Sequence, residues 1–333
     1  MRRLLISAIA LLFVFAAGSV GEGAPSTLVL KTAWAKKFRN LLSIDARVNI
    51  AKLTNHVGDD GDIHGGSRKN VVGLPMVVEI LNGGDARQKE ALDALKPVAS
   101  APDEMKDVYG AWRLWFEHPP HTGSRTQCQI FGTSPSSVPS ICSNQSLGGA
   151  ETNPDHSFEI HPVFAVSGIA IGRSSLVLTG ANTTVKKTED AFREYTGVNK
   201  KLTVKRSNTA LTMTSIKVMA NYANLRIRVT KAKTETKRAK DGSVDGGFVV
   251  ADVMGLVDGE LEALPRGRGL RMFYLRDSAP GDKLDAAAVG DEFIIVGTPR
   301  INLDDVLKRT ETQSMIEIPL PFEFIVVALV QVL

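Results

Sequence analysis

Two short acid–histidine pieces carry the chemistry this sequence offers. Asp59-Asp60-Gly61-Asp62-Ile63-His64 and His156-Ser157-Phe158-Glu159-Ile160-His161-Pro162 both read as strands, and all six histidines of the chain lie between His56 and His161. Consecutive side chains of a strand point to opposite faces, so Asp60, Asp62 and His64 share one face and Glu159 and His161 share another. If those strands meet, Asp62, His64, Glu159 and His161 are four donors suited to zinc or a similar divalent ion. The same groups could instead supply a general base steadied by its carboxylate. A third reading is structural, with each imidazole donating an N–H to a neighbouring carboxylate or carbonyl. The usual His-x-His and His-x-x-x-His metal spacings are absent, which favours the structural reading. His56, His118 and His121 stand in turn-like sequence beside Gly or Pro and are expected to be exposed.

Strands, turns and a helix must position these pairs. Arg47 to Leu53 alternates like a strand, Asp62 to Gly65 is a second, and Leu74 to Leu81 is a third that carries Glu79 and closes on Asn82-Gly83-Gly84. Asp85 is placed to cap a helix that runs to Lys96 and stops at Pro97. Ala111 to Glu117 and Ser157 to Ser167 complete the set. Three strands, a helix and two strands is the order of a five-stranded OB barrel. The fold predicted is therefore mainly β with minor α, an OB-like barrel over residues 26–168.

The later chain repeats this order less clearly. Strands are expected around Leu225 to Val229, Gly247 to Met254, Leu270 to Leu275, Glu292 to Gly297 and Phe322 to Val332, with a helical piece over Asp282 to Val289. A second β-rich domain, an OB-like candidate, is thus assigned to residues 221–333. Residues 169–220 read as a linking segment with a short helix at Thr188 to Tyr195 and a hairpin at Leu202 to Val218.

In an OB barrel the ligand face is strands two and three with the loops that flank them. That rule makes Asp60, Asp62, His64, Glu79, Glu159 and His161 the candidate ligand-binding residues. No organic cofactor is expected, and a divalent ion is the one cofactor these residues could take. Templates for other chemistry fail: G-x-S-x-G, P-loop, H-E-x-x-H and dinucleotide fingerprints are all absent. Aromatic residues are too few and too scattered for a single-strand stacking platform, so nucleic acid is not an expected partner.

The compartment is legible at the N-terminus. Met1-Arg2-Arg3 precedes an apolar run, Leu4 to Ala17, and a small-residue exit at Gly18-Ser19, the pattern of a secretory signal over residues 1–19. The run is shorter than the roughly 20 residues that span a bilayer, so the mature chain is expected to be periplasmic or extracellular and not integral to a membrane. Cys128 and Cys142 are the only cysteines. In an oxidising compartment they are expected to form a disulfide, stabilising by about 3 kcal/mol in the chain-entropy model. Residues 186–240 hold fifteen Lys or Arg against four Asp or Glu. This stretch is either a solvated face or a surface for an anionic envelope component or polysaccharide.

Asp60-Gly61-Asp62-Ile63-His64, Met76 to Ile80, Trp112 to His118 and Phe158-Glu159-Ile160-His161-Pro162-Val163 together carry a resemblance. Over Val48 to Val166 the chain resembles a group of exported bacterial proteins with a D-G-D-aromatic-H motif early and E-[IL]-H-P-V late. The resemblance implies a compact β domain of OB type and no particular activity. This chain departs from the pattern in having Ile63 for the aromatic residue. It also has a Ser/Pro-rich cysteine loop in place of a His-Gly-Gln-Thr-Gly-like segment. Asp60-Gly61-Asp62 also resembles the opening motif of thermonuclease-type OB enzymes. The acidic pair of those enzymes is missing from Ser67 to Pro75, and with it half of the apparatus for phosphodiester cleavage. The function expected is a non-enzymatic, exported binding or envelope protein, with a divalent-metal hydrolase as the alternative.

Overall fold

The computed structural model describes residues 26–55, 61–70, 77–96, 104–117, 130–131, 158–171, 185–216, 218 and 220–333. The leader, Asp60, Cys128, Cys142, His56, His118, His121 and His156 lie outside the described residues, so the expected disulfide falls there too. In chain order the first strands are β1 (Ser26–Lys31), β2 (Ser43–Asn55), β3 (Ile63–Asn70), β4 (Val77–Ile80), β5 (Lys106–Leu114), β6 (Ile130–Phe131), β7 (Phe158–Val166), β8 (Ile169–Ala170) and β9 (Val185–Lys187). There follow β10 (Lys201–Arg206), β11 (Ala210–Ser215), β12 (Tyr222–Lys237), β13 (Val244–Val257), β14 (Glu260–Ala263), β15 (Leu270–Leu275), β16 (Glu292–Ile301), β17 (Met315–Pro319) and β18 (Phe322–Val332). The α-helices between them are α1 (Thr32–Phe38), α2 (Lys89–Leu95), α3 (Thr188–Thr196), α4 (Ala279–Leu284) and α5 (Leu303–Arg309).

The first barrel closes through β2, β3, β4, β7 and β5. Neighbours pair antiparallel except β4 with β7, which run parallel. Parallel neighbours cannot be joined by a tight turn, and the chain between β4 and β7 includes α2 and β5. Val78, Ile80, Trp112, Leu114 and Ile160 fill the interior. Gly110 is required where β5 crosses β7, because a Cβ there would lie 2.5 Å from Ile160 Cγ2 and 2.6 Å from the Pro162 carbonyl oxygen. Two boundaries differ from expectation. Strand β5 begins at Lys106, where it pairs with Val48, and ends at Leu114. Asp85 does not cap α2: a 3₁₀ turn over Ala86–Gln88 intervenes, and Gln88 precedes the helix without a side-chain cap.

The second barrel has the same connectivity. Strands β12, β13, β15, β18 and β16 close a ring that is antiparallel except between β15 and β18. Along β12, Leu225, Ile227 and Val229 are buried inside while Asn224 and Arg228 are exposed, the alternation of a sheet with one dry face. Helix α4 sits between its third and fourth strands and begins earlier than the sequence suggests. Ser278 accepts a hydrogen bond from the Gly281 N–H (3.1 Å), and Pro280 suits the first turn. The chain is thus mainly β, two OB-like barrels in series. No helix among the described residues is long and apolar enough to cross a membrane.

The 169–220 stretch does more than join the barrels. Its hairpin, β10 and β11, is the centre of a third sheet ordered β17-β10-β11-β1-β6, which gathers strands from distant parts of the chain. Helix α3 in the same stretch lays Phe192 and Tyr195 against Phe322 at ring-centroid distances of 5.6 and 5.4 Å.

The barrels dock outer face to outer face. Leu42, Tyr109, Ala111 and Phe164 of the first meet Tyr222, Phe273, Ile325 and Val327 of the second in one apolar cluster. Each buried Phe-sized side chain contributes about 2 kcal/mol of transfer free energy. The seam is what turns the outer face of β3, β4, β5 and β7 into interior.

Candidate functional site

Strand register assembles the acid–histidine centre. His64 on β3 lies directly across from Glu79 on β4, and its Nε2 is 2.9 Å from Glu79 Oε1. Arg113 on β5 lies across from Glu159 on β7 and donates from Nη1 to Glu159 Oε2 at 2.7 Å. His161 stands two residues beyond Glu159 on the same face. Its Nδ1 is 3.4 Å from Glu159 Oε2 and in close contact with Glu79 Oε2. Its Nε2 is 3.4 Å from Asp62 Oδ2. The turn after β4 completes the set: Asn82, at φ 52°, directs its N–H to Asp62 Oδ1 at 3.2 Å. Asn tolerates that left-handed conformation better than most side chains.

The second barrel supplies the lid. Tyr222, first residue of β12, donates its hydroxyl to Asp62 Oδ2, and the same oxygen is 2.5 Å from His161 Nε2. Arg113 reaches across the seam with Nε to the Pro299 carbonyl at 2.9 Å, and its Nη1 also holds Glu117 at 2.8 Å. Side-chain exposure is 0% for Asp62, Glu159 and His161, 2% for Glu79 and 6% for His64, so the centre is sealed.

Burial and mutual charge set the protonation states. Burial alone would lower the His161 pKa, but Glu79 beside it, with Asp62 and Glu159, raises it well above the ordinary imidazole value. Burial would raise Glu79, and the charges of His161 and His64 outweigh it, holding the carboxyl well below its usual range. Arg113 is likewise desolvated, yet Glu159 and Glu117 push its pKa upward. Four carboxylates therefore share one permanent cation and an imidazolium. Glu79 Oε2, Glu159 Oε1, His161 Nδ1 and Arg113 Nη2 are buried with no hydrogen-bond partner among the described residues. His161 Nδ1 and Glu79 Oε2 are nonetheless in direct contact as an ion pair.

Of the candidates read from sequence, Asp62, His64, Glu79, Glu159 and His161 converge. Asp62 and His161 approach to 3.4 Å, and the trio whose ligand atoms lie within 4.8 Å of one another is Asp62, Glu79 and His161, which takes Glu79 in place of the His64 and Glu159 read from the sequence. What the sequence reading did not anticipate is that this face is covered. The β3–β4 surface, expected to be open to ligand, carries the second barrel instead. Tyr222 and Arg113 were missed as members. A lone Arg in the apolar strand Ala111-Trp112-Arg113-Leu114-Trp115 is a legible sign of a buried ion pair. For Tyr222, in the other barrel, no sequence pattern pairs it with Asp62.

The accessible concave surface lies elsewhere along the seam. A groove of about 700 Å³ is lined by Lys37, Asp45, Arg47, Tyr109, Arg238 and Lys240, among others. The Arg238 guanidinium stacks 3.7 Å from the Tyr109 ring centroid, and Arg47 pairs with Asp107 at 3.2 Å. Burial raises the Asp45 pKa against the pull of Arg238 and Lys240. Tyr109 donates to Asp245 at 3.3 Å, and burial with that carboxylate pushes its phenol up to about 12.

The basic stretch 186–240 is extensively paired. Lys186 binds Glu194 at 2.6 Å, Arg226 and Arg228 bind Glu292 at 2.6 and 2.7 Å, and Lys233 binds Asp285 at 2.7 Å. Glu292 on β16 and Asp285 after α4 thus neutralise part of the run from later in the chain, and Glu194 does so from within it.

No family model matches the chain, and no curated protein matches it. Among solved structures, the wild-type single-stranded DNA binding protein from Thermus aquaticus is 8% identical, over 88% of this chain and 93% of that chain, with a TM-score of 0.20. A likeness at that level carries no argument about ligand.

Proposed function

We propose that this chain is an exported, non-catalytic binding protein that takes an anionic polymer, such as an envelope polysaccharide, in the seam groove. The observation that carries the reading is the contrast in access. The acid–histidine centre exposes at most 6% of any of its five candidate side chains. The groove is open and presents Lys37, Arg47, Arg238 and Lys240 against Asp45 and Asp107. A substrate cannot reach a sealed centre, whereas a polymer can lie along an open one. Export rests on the residue 1–19 leader. N-terminal sequencing of chain from fractionated cells should begin after Gly18 or Ser19.

The test is titration of the purified mature chain with polygalacturonate, heparin and single-stranded DNA at several salt concentrations. Salt-sensitive binding of the polysaccharides, weakened in an R238A/K240A double variant, is the expected result. No binding to either polysaccharide at low salt overturns the reading, as does a marked preference for DNA.

The metal-hydrolase reading keeps one supporting observation, the approach of Asp62 to His161 at 3.4 Å. It requires the barrels to part so that substrate can enter. Release of nitrophenol from bis(p-nitrophenyl) phosphate in the presence of Zn²⁺, Mn²⁺ or Mg²⁺, lost in H161Q, would favour it over the binding reading.

A further inference from the structure

We propose that Asp62, Glu79 and His161 bind a divalent first-row cation of the zinc class, as a closed structural site at the seam between the barrels. The inference is independent of what the groove binds.

The geometry comes first. Structural zinc is held by four N, O or S donors at roughly 2.0–2.3 Å, which sets neighbouring donors about 3.3–3.8 Å apart. Here the three ligand atoms lie within 4.8 Å of one another. His161 Nδ1 lies beside Glu79 Oε2 and 3.4 Å from Glu159 Oε2, whereas Asp62 Oδ2 is 3.4 Å from the other ring nitrogen, Nε2. Glu159 is therefore a further donor on the Nδ1 side.

The second observation is independent of proximity. Buried polar atoms are nearly always hydrogen-bonded, and each exception asks for an explanation. Three exceptions belong to this one centre: Glu79 Oε2, His161 Nδ1 and Glu159 Oε1, on side chains exposed by 2% or less. Glu79 Oε2 and His161 Nδ1 are in direct contact as an ion pair, so an ion that displaced the Nδ1 proton would meet a carboxylate oxygen and an imidazole lone pair together.

Charge and donor chemistry agree with a cation there. Asp62, Glu79, Glu117 and Glu159 face one permanent positive charge, Arg113, and the His161 imidazolium, whose proton an ion bound at that ring would displace. Buried anions without compensation are costly, and a divalent ion offsets two of them. Two carboxylates and an imidazole suit zinc, manganese or iron better than the all-oxygen preference of calcium or magnesium. The closed surroundings suit a structural ion, since a catalytic one keeps an open position. Outside the three ligands, Tyr222 and Asn82 hold Asp62, and Arg113 holds Glu159, the outer support that metal ligands commonly have. Because Tyr222 belongs to β12, the ion would brace one barrel against the other.

The full mature chain, refolded in EDTA and then desalted, is the material for the test. Equilibration with Zn²⁺ followed by gel filtration and elemental analysis should return a single ion per chain, with a melting temperature above that of the EDTA form. Co²⁺ in its place should give visible d–d bands of a low-symmetry N/O site, and X-ray absorption should detect imidazole scattering. D62N and H161Q should each lose the retained ion. Because poor folding of either variant would also lose the ion, the wild-type spectra stand as the second measurement. Wild-type chain that retains no zinc and shows no melting shift overturns the proposal. A Co²⁺ complex without imidazole scattering overturns it equally.

Discussion

Glu323 and Glu79 are both buried carboxylates of the seam, and their surroundings differ in kind. Glu323 on β18 faces Arg300 across the β16–β18 ladder and accepts 2.7 Å hydrogen bonds from Arg300 Nε and Arg271 Nε. The remaining guanidinium nitrogens are spoken for. Arg300 reaches the carbonyls of Leu41, Leu42 and Trp112 at 3.1–3.3 Å, and Arg271 reaches Asn40, Arg39 and Asn302 at 2.9–3.1 Å. Arg300 also lies between Trp112 and Phe273, 4.0 and 4.2 Å from their ring centroids. Burial, with Arg271 nearby and in spite of Glu323, pushes its pKa down to about 10, which leaves it charged at neutrality. Cations outnumber anions here and no atom of the three side chains is left over among the described residues. Around Glu79 the anions outnumber the cations and several atoms are left over. A saturated network is a clamp. An unsaturated one of the opposite sign is a place for a missing positive charge.

The sharpest way to break this comparison is to remove Arg300. R300M leaves Glu323 with Arg271 alone and takes one donor from each of three carbonyls. It should cost about 3–5 kcal/mol, read as a lowered urea midpoint, because several buried acceptors lose a charged donor at once. Y222F tests the other network and should cost less, about 1–3 kcal/mol, since one hydroxyl between Asp62 and His161 is lost. If Y222F proved the more damaging, the roles assigned to the two networks would have to be exchanged.

A pH series in EDTA sharpens the contrast further. His161 has a folded pKa above its unfolded value of 6.5, so its stabilisation is complete below 6.5 and is lost as pH rises through the folded value. Glu79 is depressed below 4.5, so its contribution is complete above 4.5 and is lost as pH falls through its folded value. The metal-free pair should therefore stabilise most between 4.5 and 6.5. H161Q should flatten the alkaline limb of the difference curve. Arg300, lowered only to about 10, should add no comparable limb near neutrality. The smallest effect is expected in the groove, where R238A removes a stacked cation for less than about 1 kcal/mol of stability. Polyanion affinity should fall all the same, and calorimetric titration would detect it.

Much of the fold was legible residue by residue. Leu225, Ile227 and Val229 alternate with polar neighbours, Asn82-Gly83-Gly84 stops a strand, and both barrels follow from strand order once those local signals are placed. The ends of β5 and the start of α4 were displaced, because pairing with β2 extended one and Ser278 capped the other. The pairings Asp62 with His64 and Glu159 with His161 were legible as shared faces. Their partners were not: Glu79 was read only as part of a ligand face, and Tyr222 and Arg113 were not read as members at all. The hairpin of residues 202–218 was foreseen, but its place in a sheet with β1 and β17 was not.

The division follows the range of the forces. Which face of a strand a side chain occupies is fixed by backbone geometry over two residues, so the sequence alone determined that Asp62 and His64, and Glu159 and His161, point the same way. Whether those faces look into solvent or into another barrel depends on contacts between residues far apart in the chain, such as Tyr222 with Asp62 and Arg113 with Pro299. Only the tertiary structure decided that. By closing the seam it turned an expected ligand face into a sealed, charged centre and left the open groove beside it.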